Sequence, residues 1–198
     1  MPNIRPLDGD TRKLGLVDPT PQGGIPHHGN PKTTLGLAVL PDNMPTRARR
    51  EGAGPETFPQ LDFHHLNAKA LISERAKAVM EDMESNRHQF FPVEVTIGKD
   101  DAPYGLYFLF FLGTRLDTLD RDLSYPFSDS GICQGISKAP DGRVVLDSEK
   151  IGDHHMWAEQ YVSCGQSIWL SDRMAERLEA EGLTGLRAFQ EIEETKNL

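Results

Sequence analysis

Apolar residues spaced three and four positions apart predict two amphipathic helices in this chain. The first stripe follows Ser73 and predicts a helix that runs to about Glu84. The second follows Ser171 and ends before Gly182, a residue type that tolerates the left-handed backbone found just past a helix. The stripes consist of Ala76, Val79, Met80 and Met83 in the first helix, and of Met174 and Leu178 in the second.

The segments that lead into the two helices are similar. Each is a short apolar run followed by a serine, an acid and an arginine, and the copies read LISER at 71–75 and WLSDR at 169–173. A serine N-cap accepts a hydrogen bond from a free amide of the first turn, and the acid after it favours the positive end of the helix dipole. The chain therefore contains two similar strand–helix–strand units. Either the unit is internally duplicated, or both sites use the same capping chemistry.

Short apolar or alternating runs bounded by turn residues predict strands around the helices. Turn-forming residues at 98–101 and the sequence PDG at 140–142 place neighbouring strands in hairpins. Pro92 indicates an edge or a bulge, because proline has no amide hydrogen to donate. These patterns predict an α+β fold with a mixed or mostly antiparallel sheet, rather than a doubly wound parallel sheet. The predicted strands are 61–63, 70–72, 88–97, 104–112, 131–136, 143–147, 155–162 and 186–189, and residues 116–124 are predicted to form a loop or a short helix.

The first sixty residues differ in composition from the rest, with ten of the fourteen prolines and eight of the eighteen glycines. Such a stretch does not form regular helix, although the apolar residues 35–40 could form a strand. We therefore divide the chain into an irregular Pro/Gly-rich arm, residues 1–42, and a single α+β domain, residues 43–198. The arm is expected to pack on its own domain. The alternative is that it packs on a second copy, which predicts a homodimer.

Charge is distributed unevenly along the chain. The formal net charge is −9; residues 1–60 contain seven Lys or Arg and six Asp or Glu, a net of +1, which leaves −10 for residues 61–198. An acidic body argues against nucleic-acid binding, which requires cationic surface, and it suits a basic protein partner. Acidity for solubility alone is the simpler alternative. The one concentrated positive patch, RARR at 47–50, is typical of a solvated loop.

Several features predict a cytoplasmic protein without a membrane partner. No apolar run approaches the roughly 18 residues that a membrane helix needs, and no signal peptide is recognisable at residues 1–41. The two cysteines, Cys133 and Cys164, fit a reducing compartment. The sequence leaves open whether they form a disulfide.

Catalytic signatures are missing from the sequence: we find no Gly-rich phosphate loop, no H-E-x-x-H and no nucleophile elbow. On residue type alone, His154, His155 and Cys164 could form a metal site or a nucleophilic pair. The acidic segment 117–122 could likewise bind a metal or transfer protons. A metal-dependent hydrolase is therefore the alternative function. We predict no catalytic, metal-binding or cofactor-binding residue, because adjacent histidines on a strand point to opposite faces and the acidic segment is interleaved with arginine.

Four residues are candidates for contact with a protein partner. Interface hot spots combine a buried aromatic anchor with charged surroundings. Trp157 and Trp169 both lie in apolar, strand-like runs, so at least one of them is expected in the core, and an exposed one would be an anchor. The candidates are Asp117, Asp120, Asp122 and Trp157.

Ordered runs of the sequence resemble a family of immunity proteins. The runs are NMPTRAR at 43–49, LDF at 61–63, LISER at 71–75, HQFFPV at 88–93, LDTLD at 116–120 with Ser124, HMW at 155–157, IWLSD at 168–172 and LTGL at 183–186. Together they resemble immunity family eleven of bacterial polymorphic-toxin systems, over residues 43–190. The resemblance implies a protein without enzyme activity or cofactor. Such a protein binds a cognate toxin, delivered by contact-dependent or type VI secretion, and so protects its producer. A basic, nuclease-like toxin would suit the acidic body.

Overall fold

The computed structural model describes residues 2–4, 14–16, 38–41, 44–50, 60–66, 69–135, 139–162, 168–186, 190–191 and 193–194. Within these ranges the chain forms two main β-sheets and two longer helices. Both sheets and both helices contribute side chains to one apolar core. The predicted α+β class is confirmed.

The larger sheet has six strands: β2 (Leu14–Leu16), β3 (Arg47–Arg50), β4 (Phe63–Leu66), β5 (Lys69–Ser73), β6 (Gln89–Ile97) and β7 (Ala102–Phe111). Their order is β2-β3-β6-β7-β5-β4, and all neighbours are antiparallel except β3 and β6. Successive side chains of a strand point to opposite faces. Leu71 and Leu109 accordingly belong to the core on one face, whereas Ile72 and Phe110 face the helices.

The smaller sheet has five strands: β1 (Pro2–Ile4), β8 (Arg115–Leu116), β10 (Met156–Glu159), β11 (Ile168–Leu170) and β12 (Gln190–Glu191), in the order β12-β1-β11-β10-β8. Neighbours are antiparallel except β8 and β10. A separate parallel pair joins β9 (Val145–Leu146) to β13 (Glu193–Glu194). In the described part of the arm, β1 pairs with β11 and β12, and β2 pairs with β3, so both pair with strands of the same chain.

The helices are α1 (Glu74–Met83), the short α2 (Ser148–Ile151) and α3 (Asp172–Ala180). The two predicted helices are therefore confirmed, and so are their caps. Ser73 Oγ accepts a hydrogen bond from Ala76 N, and Ser171 Oγ accepts one from Met174 N, both at 3.1 Å. The apolar stripes of α1 and α3 meet in the core that the helices share with the sheets.

Each strand–helix unit has a similar set of hydrogen bonds at the start of its hairpin. Ser73 donates its amide to Asp62 O (2.9 Å) and its hydroxyl to Asp62 Oδ1 (2.7 Å). Ser171 likewise donates its amide to His155 O (3.0 Å), and its hydroxyl lies 2.7 Å from His155 Nδ1. Each cap serine is thus held by the residue that directly precedes the first strand of its own hairpin.

The segment after each helix is hydrogen-bonded to the start of the hairpin in the other unit. Glu84, which follows α1, accepts a hydrogen bond from His155 N at the start of the second hairpin (2.7 Å). Thr184, which follows α3, accepts one from Asp62 N at the start of the first hairpin (3.0 Å). This reciprocal bonding ties the two units together, and internal duplication stays a prediction.

The basic run 47–50 is a correction to the predicted solvated loop. It forms β3, which pairs in parallel with residues 94–97 of β6. Ala48 is fully buried, because its side chain points into the core while Arg47 on the opposite face stays exposed. A single small residue between arginines fits a strand with one buried face.

Pro92 lies where its missing amide does no harm. Glu94 donates its amide to Thr46 O next to β3 (2.8 Å), and residues two apart on a strand direct their amides to the same side. The nitrogen of Pro92 therefore points to the side of β6 on which β3 lies. Since β3 pairs with β6 only from Glu94 onward, no bond to β3 is lost at Pro92. The prediction of an edge position is confirmed for this part of β6.

Several predicted strands are shorter than expected. Residues 131–135 contain only isolated bridges at Cys133, because Gly131 and Gly135 adopt positive φ values and turn the chain. Residues 155–162 and 143–147 are reduced to β10 and β9. Leu116 belongs to β8, and residues 117–124 form a loop with a turn at 121–123. Residues 38–40 are not a strand, and residues 35–37, 136 and 187–189 lie outside the described ranges.

Candidate functional site

Residues 117–125, which we call the acidic loop, contain three of the four predicted contact residues. The loop runs from the end of β8 along β9. Leu119 is fully buried and bridges to Leu146, and Asp120 N donates to Val145 O (2.9 Å). The backbone of the loop is therefore fixed by the strand beneath it.

The three aspartates of the acidic loop have different surroundings. Asp120 Oδ1 accepts hydrogen bonds from Asp122 N and Leu123 N, both at 3.0 Å, so its carboxylate holds the turn. Asp117 and Asp122 are exposed, and Asp117 lies 3.8 Å from Arg121. An exposed pair at that distance adds little stability. Asp117 and Asp122 are thus the two carboxylates of the loop that are available to a partner.

Arg121 is the cation of the acidic loop, and aromatic rings hold it in place. Its guanidinium lies 4.6 Å from the centre of the Tyr161 ring and 5.9 Å from that of Phe127. Cation–π contacts of this kind orient an arginine along the protein surface. Arg121 is therefore held against the protein surface beside Asp117.

A buried carboxylate supports the loop from below. Glu159, on β10, accepts hydrogen bonds from Thr118 N (3.1 Å) and Thr118 Oγ1 (2.5 Å). Burial raises the pKa of Glu159, and the hydrogen bonds from Thr118 offset only part of that effect. The acidic loop is thus tied to the smaller sheet through a buried glutamate whose pKa is raised.

The structure places Trp157 in the core, so its selection as a surface contact is corrected. The side chain is 0% exposed and lies opposite Trp169 across β10 and β11. Both rings pack against Leu146 and Ile151, because β9 and α2 cover this face of the smaller sheet. The expectation that at least one tryptophan is core is confirmed, and neither ring is available as an exposed anchor.

His154 and His155 contact different partners. His155 Nδ1 lies 2.7 Å from Ser171 Oγ at the start of α3, and burial lowers the pKa of His155. The ring of His154 contacts the guanidinium of Arg87 and lies 3.8 Å from Glu84. Neighbouring positions in the sequence therefore do not converge on one site.

Glu84 is the centre of a buried polar network that sequence patterns did not indicate. Its carboxylate accepts from His155 N (2.7 Å), Met156 N (2.9 Å) and His88 Nε2 (2.9 Å). Gly113 N donates to His88 Nδ1 (3.2 Å), which assigns the ring proton to Nε2. Burial opposes ionisation, but the hydrogen bonds and the nearby Arg87 outweigh it and lower the pKa of Glu84. The network joins α1, the end of β7 and the start of β10.

Only some of the residues that an enzyme could use lie in the described ranges. Cys133 is a buried free thiol whose pKa is raised by burial, and Cys164 lies outside the described ranges. Among the described residues, no group of three or more His, Cys, Asp or Glu is arranged to hold a metal ion. In the same part of the chain, no helix has both the length and the apolar character needed to cross a membrane.

The sequence interpretation also missed two exposed apolar side chains of the acidic loop, Leu123 and Tyr125. No periodic pattern marks them, because Leu123 ends a turn and Tyr125 bridges to Arg143. Their exposure depends on contacts with β9 and Arg143, which are not visible in the local sequence.

The described part of the chain is an α+β fold that carries an exposed acidic loop on a hydrogen-bonded framework. Residues 15–194 match the model of the Immunity protein family (Imm11), and the chain belongs to this family. The match begins at residue 15, so the family domain reaches into the arm, further than the resemblance from residue 43 indicated. No curated protein matches the chain.

Proposed function

We propose that the chain binds a cognate antagonistic toxin, delivered by contact-dependent or type VI secretion, and neutralises it in the cytoplasm of the producing cell. The observation that carries the proposal is membership of the Immunity protein family (Imm11) over residues 15–194. The partner is a protein, and the chain acts on it by occupying its surface rather than by chemistry.

Charge indicates the kind of toxin. Residues 61–198 have a net charge of −10, and the exposed carboxylates of Asp117 and Asp122 lie on a fixed loop. Nucleases and other enzymes that act on polyanions present cationic surfaces. An acidic inhibitor complements such a surface and is attracted to it over a distance of several ångströms. A basic, nuclease-like toxin is therefore the proposed partner.

Co-expression tests the proposed function directly. A toxin gene adjacent to the gene for this chain should arrest growth when expressed alone, and growth should resume when the chain is co-expressed. The two proteins should also co-purify in a fixed ratio. A toxin from an unrelated system is the control and should remain active. Growth arrest that persists with every adjacent candidate would rule the proposal out.

Salt should slow the association of the complex more than it speeds dissociation. Rim charges act mainly on the association rate, and salt screens them over a Debye length of about 8 Å at physiological ionic strength. Replacing Asp117 and Asp122 together by asparagine should reproduce part of the slowing. Asp120 is left intact in this variant, because its carboxylate holds the turn. Stopped-flow or surface-plasmon kinetics between low and high salt measure both rates.

A matched control separates the effect of charge on the acidic loop from the effect of the net charge on the association rate. Glu176 and Glu179 are exposed on α3, so replacing both by glutamine removes the same charge from another surface. This control should change the association rate much less than the loop variant does. Equal slowing by both variants would mean that only net charge matters, and rates that do not vary with salt would contradict a steered basic partner.

A further inference from the structure

The acidic loop reverses the usual arrangement of apolar and polar side chains at residues 123–125. Leu123 is 37% exposed and Tyr125 is 40% exposed, while Ser124 between them is only 4% exposed. Large apolar side chains are normally buried and serine is normally exposed. An inverted pattern on a framework that otherwise follows the rule is typical of a functional surface.

Ser124 occupies the inward position because it completes the hydrogen bonding of β9. Its hydroxyl donates to Val145 O (3.2 Å) and accepts from Val145 N (2.9 Å). Ser124 N also donates to Asp120 O (3.1 Å). A leucine at this position could not satisfy both polar groups of Val145, so Leu123 and Tyr125 cannot exchange places with the serine by a one-residue slip.

Tyr125 is held outward by its own contacts. Its amide donates to Arg143 O (2.9 Å), and Arg143 N donates to Tyr125 O (2.7 Å). The nearby Asp141 carboxylate raises the pKa of the phenol. A segment whose backbone is already fixed loses little conformational entropy when a partner covers it.

Carboxylates outnumber the cations around this pair, which are Arg121, Arg143 and Lys150. Asp117, Asp122, Asp129 and Asp141 are exposed on the same loop or on the segments bonded to it. The guanidinium of Arg121 lies 4.6 Å from the centre of the Tyr161 ring. An apolar centre with an acidic rim complements a partner that presents an apolar side chain surrounded by lysine or arginine.

We propose that Leu123 and Tyr125 form the apolar centre of the surface that docks a basic protein, with the carboxylates of Asp117, Asp122 and Asp141 at its rim. This inference rests on the proposed function, in which the basic protein is the cognate toxin. The pair is the hot spot rather than the whole interface, since stable complexes bury about 800 Å² on each partner.

Replacing Leu123 by serine tests the docking surface. The toxin domain that the wild-type chain neutralises in co-expression is the probe, and binding is measured by calorimetry or surface-plasmon kinetics. The Leu123→Ser variant should weaken affinity about ten- to thirty-fold through faster dissociation, as expected for a central apolar contact. Adding Tyr125→Ser should weaken binding further, whereas Tyr125→Phe, which keeps the ring, should have a smaller effect.

Leu106 provides the matched control. It is 50% exposed on β7 in the larger sheet, so Leu106→Ser removes a similar apolar area from a different surface. This variant should bind the toxin domain within about two-fold of wild type. Urea unfolding of each variant shows that the fold is retained. Weakened binding by Leu106→Ser together with wild-type binding by Leu123→Ser would overturn the proposal and move the interface to the larger sheet.

The outcomes also separate this inference from the proposed function. A wild-type chain that neutralises the toxin, with a Leu123→Ser/Tyr125→Ser variant that neutralises it equally well, contradicts the docking surface alone. A wild-type chain that binds no adjacent toxin domain contradicts the proposed function, and the docking surface falls with it.

Discussion

Replacing Glu84 by glutamine should lower the free energy of unfolding by about 3 kcal/mol, because the amide group would present a donor to the donors that the carboxylate now accepts from. Those donors are His88 Nε2 and the amides of His155 and Met156. The side chain is 1% exposed, so water cannot replace the lost acceptor. Urea unfolding followed by tryptophan fluorescence measures the change, since Trp157 and Trp169 are both buried.

Glu159 is the matched control for Glu84. It is also a buried glutamate bonded to backbone amides, but its pKa is raised by burial whereas that of Glu84 is lowered. The same donor clash applies to Glu159→Gln, but removing the charge also relieves a desolvation penalty, so this variant should lose less stability than Glu84→Gln. Equal losses in the two variants would show that Glu84 is an ordinary buried acid and not the centre of a network.

The two glutamates should also affect the pH dependence in opposite directions. The folded pKa of Glu84 lies below its ordinary value of 4.5, so its stabilising contribution is complete above that value. The contribution is lost as the pH falls through the folded pKa. Glu159 has a raised pKa, so it binds its proton more tightly in the folded state and lowers stability as the pH rises past 4.5. When the free energy of unfolding is measured from pH 7 downward, Glu84→Gln should lose less stability in acid than the wild type. Glu159→Gln should lose more.

Replacing Gly113 by alanine should destabilise the chain by about 3 kcal/mol or more, because the added Cβ would collide with backbone that cannot move freely. The Cβ would lie 1.9 Å from Arg87 O. Gly113 N also donates to His88 Nδ1, so any shift that relieves the collision disturbs the Glu84 network as well. Thermal or urea unfolding of the variant measures the loss.

Gly131 provides the control for this substitution. It has a φ of 77°, and a Cβ added there meets nothing within 4 Å. Gly131→Ala should therefore cost only the strain of a left-handed alanine, about 1 kcal/mol. If Gly113→Ala were as mild as Gly131→Ala, the close approach of Arg87 and Gly113 would not be a constraint on the fold.

Local sequence predicted those parts of the fold that depend on neighbouring residues. The caps of α1 and α3 were identified correctly, since Ser73 and Ser171 bond to amides only three residues away. The hairpins around α1 follow from the alternation of apolar and polar residues. The position of Pro92 follows from its lack of an amide hydrogen. The strand β3 itself was missed, because a run of arginines forms a strand here only by pairing with β6.

Of the candidate site, the sequence predicted only the exposed charged residues. Asp117 and Asp122 are exposed, as a polar run implies, and binding by them remains a prediction. Asp120 turned out to hold the turn, and Trp157 to be core. Exposure of Leu123 and Tyr125 depends on Ser124 and Val145, which are 21 residues apart in the sequence.

The sequence by itself determined the capped helices, the α+β class, the acidic body and the resemblance to an immunity family, because each depends on residues close together in the chain or on composition. Tertiary structure alone decided which side chains are buried and which polar groups are bonded. Glu84 and His155 are 71 residues apart, and Asp62 and Thr184 are 122 apart. Such pairs leave no periodic pattern, since their stabilisation arises only after the two strand–helix units have packed together and excluded water from the bonds between them.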